Sequence, residues 1–342
     1  MHVPPPVLLC LLSLTARAAN IVSTNDDGWA EINIRTFYSA LTDAGHSVVL
    51  SAPAENESGT GSREGTPSNV TQGCEFNSCP ADSPATGSNS SDTRLNYVNS
   101  YPVTSMKYGV QRLAPNFFNG SSPDLVVAGP NVGANLGSTV QISGTAGAAS
   151  AASNQLGIPG IAFSGTTGSR TAWNDTTPDY SKLYADLSVN LTNALLASGR
   201  PYLPNGTWLN VNFPSAGSGT RCTNVGDFKF VLSRIRSSSG SIVSACNNDT
   251  LPTETSVVGT DGCYVSVSVG NASTKNDATT DEQSIVERKL GSALSCLSQN
   301  NPTNNNTHSS GSSASRGVNR GLLDEMLYVL IGYCTYSLAL ML

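Results

Sequence analysis

The chain has 342 residues, 38% of them apolar, which is enough for a sizeable core and excludes a wholly disordered protein. Charged residues make up only 12% and leave a formal charge of −6 with no basic run, which argues against a nucleic-acid polymer as the main partner. Only three histidines occur, His2, His46 and His308, so a mechanism resting on several imidazoles is excluded.

The chain opens on Met1-His2-Val3 and three prolines, followed by the apolar run Val7 to Leu14 and the small residues Ala16-Arg17-Ala18-Ala19. This pattern reads as a secretory signal over residues 1–19, with a buried first strand as the alternative. Asn20 to Thr24 predicts a short buried strand, and the acidic turn Asn25-Asp26-Asp27-Gly28 follows it. Ile34, Phe37, Tyr38 and Leu41 then recur at helical spacing, Gly45 ends that helix, and Val48 to Ser51 predicts the next strand. Strand, helix and strand within about 30 residues mark a parallel βαβ unit. The expected fold is α/β, a Rossmann-like layered sheet, mostly parallel, with a strand-rich C-terminal extension.

Glu64 to Ser100 is rich in Ser, Asn, Gly and Pro and has little periodicity, so it reads as a surface insertion over residues 64–100. Leu125 to Ala128 predicts a third apolar strand, Ala146 to Leu156 an alanine-rich helix, and Ile158 to Ser164 a fourth strand. Ser181 to Ser198 puts Leu183, Leu187, Leu191 and Leu195 on one stripe, a helix packed on the sheet. Thr207 to Phe213, Phe228 to Ser233 and Cys263 to Val269 alternate as strands, and Ile285 to Leu297 reads as a closing amphipathic helix of one domain over residues 20–300.

A polar, Ser- and Asn-rich spacer covers residues 301–325, and the apolar run Met326 to Leu342 ends the chain. That pairing fits a glycolipid-anchor signal, with Ser310-Gly311-Ser312 or Gly311-Ser312-Ser313 as attachment site; a tail-anchored helix is the alternative. Cys74, Cys79, Cys222, Cys246, Cys263 and Cys296 make an even set between the two ends, as an oxidising compartment favours. Their pairing stays open, although Cys74 and Cys79 are near enough to close a small loop. Asn-x-Ser/Thr sequons begin at Asn56, Asn69, Asn89, Asn119, Asn174, Asn190, Asn205, Asn248, Asn271 and Asn305, so a glycosylated exterior on a secreted or cell-surface protein is expected.

The chemistry concentrates in three places. Asp26 and Asp27 directly follow a buried strand, at the sheet edge where open parallel sheets bind ligands. Two such carboxylates repel unless a cation lies between them, and oxygen ligands favour Mg²⁺ or Mn²⁺. A plain type I turn with Asp-Gly as punctuation is the alternative. The glycine-paced loop Gly129 to Gly137 offers the amides of Asn131 and Asn135 to a metal or a phosphate. Ser143-Gly144-Thr145 opens the alanine-rich helix, where an anion such as phosphate is favoured, or where Ser143 and Thr145 serve as ordinary N-caps.

Ile21 to Gly28 (IVSTNDDG), Ala44 to His46 (AGH), Ala52 to Gly61 (APAENESGTG), Pro123 to Gly137 (PDLVVAGPNVGANLG) and Ser143 to Gly147 (SGTAG) together resemble the SurE survival-protein family of metal-dependent phosphatases and nucleotidases. Weaker echoes lie at Leu209 to Pro214 (LNVNFP) and Tyr264 to Val269 (YVSVSV). The resemblance implies a divalent metal on Asp26, Asp27, Ser58 and Asn131, a phosphate pocket lined by Asn135, Ser143, Gly144 and Thr145, and catalysis through Asp26 and Asp27. It implies hydrolysis of nucleoside monophosphates at their 5′ or 3′ positions or of phosphomonoesters more broadly, and a homodimer that exchanges C-terminal elements. Secreted fungal members of the family look like acid phosphatases.

Three departures stand out. Pro130 replaces an apolar residue before Asn131, Ser138 to Ile142 lacks the acidic residues and Tyr that relatives carry, and Asn56 is a sequon two residues from Ser58. His46, beside a glycine turn, is expected to be structural. A dinucleotide fingerprint, a P-loop and a Gly-x-Ser-x-Gly elbow are all missing. The rival from another class is a non-catalytic surface glycoprotein that uses this fold for adhesion or ligand binding.

Overall fold

Strand β1 (Asn20–Thr24) carries Ile21 and Val22, both fully buried, as a strand covered on both faces requires. Helix α1 (Ile32–Asp43) follows, with Ile34, Phe37 and Leu41 turned inward, and Glu31 caps it by accepting the Asn33 N–H at 2.6 Å. Strand β2 (Ser47–Pro53) then lies parallel to β1, with Ile21 opposite Val48, which completes the βαβ unit. The computed structural model describes residues 18–236, 246 and 250–297. Most of the expected signal, the spacer 301–325, the apolar run 326–342 and the sequons at Asn248 and Asn305 lie outside the described residues. Ala19, the last residue of the expected signal, is buried, and its carbonyl accepts from Ser47 N at 2.9 Å.

The remaining strands are β3 (Thr86–Ser88), β4 (Leu95–Val98), β5 (Leu125–Val132), β6 (Gly160–Gly165), β7 (Thr207–Phe213), β8 (Lys229–Ser233) and β9 (Tyr264–Asn271). Among the described residues they form one nine-stranded sheet in the order β3-β4-β2-β1-β5-β6-β7-β9-β8. Pairing is parallel except at β3–β4 and β7–β9. The expected α/β architecture holds, and the strand-rich C-terminal part joins the same sheet.

Two helical layers cover the sheet. On one face, α1 packs with α5 (Asp179–Ala197), whose Leu183, Leu187, Leu191 and Leu195 enter the core as the stripe predicts. Phe163, Phe213 and Tyr184 stack beneath them, with Tyr184 and Phe213 ring centroids 5.0 Å apart. On the other face lie α2 (Pro102–Tyr108) and α4 (Gly144–Leu156), joined by Val103, Met106 and the α4 alanines. Small side chains let α4 sit close: a Cβ on Gly147 would fall 2.1 Å from the Gly61 carbonyl oxygen.

Several expectations need correction. The segment 64–100 is more than a surface insertion, because β4 pairs with β2 and extends the sheet; at four residues it is too short to show a period. β5 runs on to Val132, past a register shift between Ala128 and Asn131, so half of the glycine-paced loop is strand. The closing helix α7 spans Thr280–Leu290, placed by the Thr279–Glu282 capping box and ending at Gly291. Helix α3 (Ala114–Phe117), reached from α2 through one π turn, and helix α6 (Glu254–Gly259) went unanticipated. Three disulfides form, Cys74–Cys79, Cys222–Cys263 and Cys246–Cys296.

Candidate active site

In this sheet β1 is followed outward by β2 on one side and by β5 on the other, so their carboxyl ends meet where the chain order reverses. That crevice is where open α/β sheets bind ligands. Asn25 closes the turn after β1 on itself: its Nδ2 donates to the Gly28 carbonyl at 2.9 Å, and its Oδ1 accepts from Gly28 N at 3.2 Å. The closure holds Asp26 and Asp27 side by side, each at most 2% exposed.

Each carboxylate is anchored to a different element. Asp26 accepts the Thr145 hydroxyl and the backbone N–H groups of Gly144 and Thr145, so the anion held by the start of α4 is this carboxylate. Asp27 Oδ2 accepts Val132 N–H at 2.9 Å from the end of β5. The Asp26 carbonyl accepts from Glu57 N at 2.7 Å, tying the turn to the exposed loop that carries Ser58. Ser143 caps α4 by accepting from Ala146 N at 3.1 Å, the ordinary N-cap role, and its own proton remains to donate. Asn131 Nδ2 donates to the Gly133 carbonyl at 2.6 Å, which leaves Oδ1 as the free, oxygen-donor end of its amide.

Burial pushes the Asp26 carboxyl up, and the Thr145 hydroxyl pulls it back. Asp27 is held well above the usual range by burial first, then by the charge of Asp26 and by Glu31 and Glu75. The charges acting most strongly on Asp27 are thus all negative. Burial also lifts Glu31 to about 8, while Glu75, in the loop closed by Cys74–Cys79, pairs with Arg170 at 2.5 Å. A buried carboxylate pair of this kind fits a hard divalent cation. Among the described residues no three His, Cys, Asp or Glu side chains group as a metal site.

Asn135 stands apart from the aspartates, at the ends of β6 and β7. Its Nδ2 donates to Ser164 Oγ at 2.9 Å and its N–H to Asn212 Oδ1 at 2.8 Å, while its carbonyl accepts from Asn210 Nδ2 at 2.9 Å. The segment Ser138 to Ile142 is held from outside: Gln141 Nε2 donates to the Thr274 and Lys275 carbonyls at 3.1 and 3.2 Å. Sequence reasoning missed Glu31, Glu75, Ser164, Asn210, Asn212 and Glu254. The alternation of Leu209-Asn210-Val211-Asn212-Phe213 carried a signal for two of them, since it sets both asparagines on one face of a strand. His46 is structural as expected, accepting from Ala19 N at 3.3 Å and lying 2.8 Å from Asn193 Oδ1.

Fold and site define an open α/β protein with paired, buried carboxylates at the carboxyl end of a central strand. The same fold occurs in the crystal structure of the SurE protein from Aquifex aeolicus, with a TM-score of 0.51 and 23% identity over 74% of this chain and 93% of that one. The family model for survival protein SurE matches residues 21–231. An acid phosphatase of Yarrowia lipolytica is 38% identical over 291 residues, covering 75% of this chain and 80% of its own length. A 5'-nucleotidase SurE of Lawsonia intracellularis is 32% identical over 198 residues, 57% of this chain and 66% of its own length. The chain belongs to the SurE family.

Proposed function

We propose that the protein is a divalent-metal-dependent phosphomonoester hydrolase, a nucleotidase or broad acid phosphatase whose substrates are nucleoside monophosphates and similar small phosphates. The observation that carries this reading is the buried Asp26–Asp27 pair, whose strongest charged neighbours are also acidic, at the switch point of a SurE-family sheet. The relatives' names, acid phosphatase and 5'-nucleotidase, support the reaction class.

In this reading Asp26, Asp27, Asn131 Oδ1 and the Ser58 hydroxyl hold a Mg²⁺ or Mn²⁺ ion. Such an ion supplies Lewis acidity and charge neutralisation at a phosphoryl group. Asn135 and Ser143 orient the phosphate through their remaining N–H and O–H donors. Gly144 and Thr145 act one step back, fixing the Asp26 carboxylate toward the crevice. Asp26 and Asp27 are the groups without which turnover stops.

Signal-like and anchor-like ends, six paired cysteines and ten sequons support a secreted, glycosylated protein carried at the cell surface on a glycolipid. The test is phosphate release from nucleoside monophosphates by purified protein, with EDTA and with Mg²⁺ or Mn²⁺ restored. The expected result is release that EDTA stops and either ion recovers, lost in Asp26→Asn and Asp27→Asn. Release that ignores EDTA overturns the metal dependence, and none from folded protein overturns the reading and favours a non-catalytic glycoprotein.

A further inference from the structure

Glu254 is fully buried at the first position of α6, in the part of the chain beyond the family match, and the hydrolytic site as described makes no use of it. Both its oxygens face donors. Oε2 accepts Gly137 N–H at 2.9 Å, and Oε1 accepts from Asn210 Nδ2 at 2.7 Å. The same Asn210 nitrogen donates to the Asn135 carbonyl at 2.9 Å. One amide therefore forks between Glu254 and Asn135, which uses both of its protons.

The direction of that fork matters. Asn210 is fully buried, and its Oδ1 has no hydrogen-bond partner among the described residues. The Asn135 carbonyl turns the NH₂ end of the amide toward itself and the carboxylate reinforces that direction, because only the NH₂ end can face two acceptors. Asn212 adds a second bond to the same Asn135 carbonyl at 3.2 Å and accepts the Asn135 N–H. Through Gly137 and Asn210 the carboxylate thus grips the Asn135 loop at two points, two residues apart.

We infer that Glu254 is a positioning residue for substrate phosphate: it fixes Asn135 through the Asn210 amide and the Gly137 N–H without touching substrate itself. The inference rests on the proposed role of Asn135 in the phosphate pocket. It differs from a general stabilising role in what it predicts. Loss of Glu254 removes the Gly137 anchor and one arm of the Asn210 fork from the Asn135 loop, and leaves the Asp26–Asp27 turn, which hangs on α4 and β5, as it was.

The experiment compares wild type, Glu254→Gln, Asn210→Ser and the double variant. It reads KM and kcat on a nucleoside monophosphate, calorimetric affinity for inorganic phosphate with Mg²⁺ present, and affinity for Mg²⁺ alone. Glutamine keeps the size of Glu254 but turns an NH₂ toward one of its donors, Gly137 N–H, the Asn210 amide and Ser268. Each single variant is expected to raise KM and weaken phosphate binding about tenfold, the cost of one unmet buried hydrogen bond. Mg²⁺ affinity and kcat are expected to stay within about twofold, because the metal turn keeps its anchors. The double variant is expected to be no worse than the worse single one, since both cut the same relay.

Unchanged KM and phosphate affinity in folded Glu254→Gln overturns the inference, as do losses that add in the double variant or fall equally on Mg²⁺ binding. If Glu254→Gln does not fold, Asn210→Ser alone decides by the same criteria. Wild-type protein that binds phosphate in a Glu254-dependent way yet hydrolyses nothing defeats the proposed function and spares this inference. Hydrolysis that is indifferent to Glu254 does the reverse, and a wild type that neither binds phosphate nor hydrolyses defeats both.

Discussion

Gly144 lies so close to Asp26 that a Cβ built on it would stand 2.8 Å from the Asp26 Cβ and 2.9 Å from Oδ2. The start of α4 therefore touches the acidic turn through bare backbone, and the next residue, Thr145, closes its hydroxyl on the same carboxylate. Any side chain at position 144 pushes the helix off the turn. Gly144→Ala is expected to fold with lowered stability and to lose most of its phosphatase activity. Thr145→Val removes one hydrogen bond to a charged group, worth about 1.5–3 kcal/mol, and is expected to lower kcat/KM by roughly ten- to hundredfold. Steady-state kinetics beside Mg²⁺ calorimetry checks both, and a fully active Gly144→Ala would show that α4 and the turn do not need this contact.

Two buried glutamates add to the raised Asp26 and Asp27 carboxyls in tilting the pH dependence of the metal-free fold. Burial raises Glu31 to about 8 and Glu254 to about 7, from an ordinary 4.5. Between 4.5 and those values the folded chain holds protons that the unfolded chain has released, so stability falls as pH rises. Each group tilts the curve by up to ~1.4 kcal/mol per pH unit inside its own window. Urea midpoints of protein in chelator are expected to drop from pH 5 to pH 8, and Glu31→Gln is expected to flatten the upper part of that slope. A midpoint that rises over this range contradicts the assignment.

The Asp26–Asp27 turn was legible in the sequence because a polar doublet breaks off an unbroken apolar strand, a purely local signal. The α4 start was legible for the same reason, through Ser143 and a run of small residues. Glu254 was not, because its contact with Gly137 spans 117 positions and its helix is six residues long, too short for any period to appear. β4 escaped notice for the same lack of length, and α2 because its face shows only after the sheet is assembled. The sequence marks the α4 start as an anion site, and the structure adds that the Asp26 carboxylate is bonded there, to the Thr145 hydroxyl and the Gly144 and Thr145 N–H groups.

The N-terminus makes a processing prediction. Ala18 is exposed, whereas Ala19 is buried, donates to His46 Nδ1 at 3.3 Å and accepts from Ser47; Asn20 N donates to Asp124 Oδ2 at 2.9 Å. Cleavage after Ala19 would remove a residue that the fold uses. Ala16-Arg17-Ala18 also offers small residues at the two positions that signal peptidase reads. N-terminal sequencing of secreted protein is expected to begin at Ala19, one residue earlier than the sequence pattern alone places it, and a start at Asn20 would refute this.

The sequon at Asn56 tests the metal reading from the outside. Asn56 Oδ1 accepts from Ser58 N at 2.7 Å, which folds the side chain back over the loop that presents the Ser58 hydroxyl. A glycan on its nitrogen would stand beside that hydroxyl and above the turn that Glu57 N–H ties to the Asp26 carbonyl. Asn119, Asn174 and Asn205, by contrast, are exposed and distant in sequence from the acidic turn. Glycopeptide mapping of active protein is expected to find sugar at these three and none at Asn56. Active enzyme with Asn56 largely occupied would contradict Ser58 as a ligand, because the glycan would sit two residues from it on the same short loop.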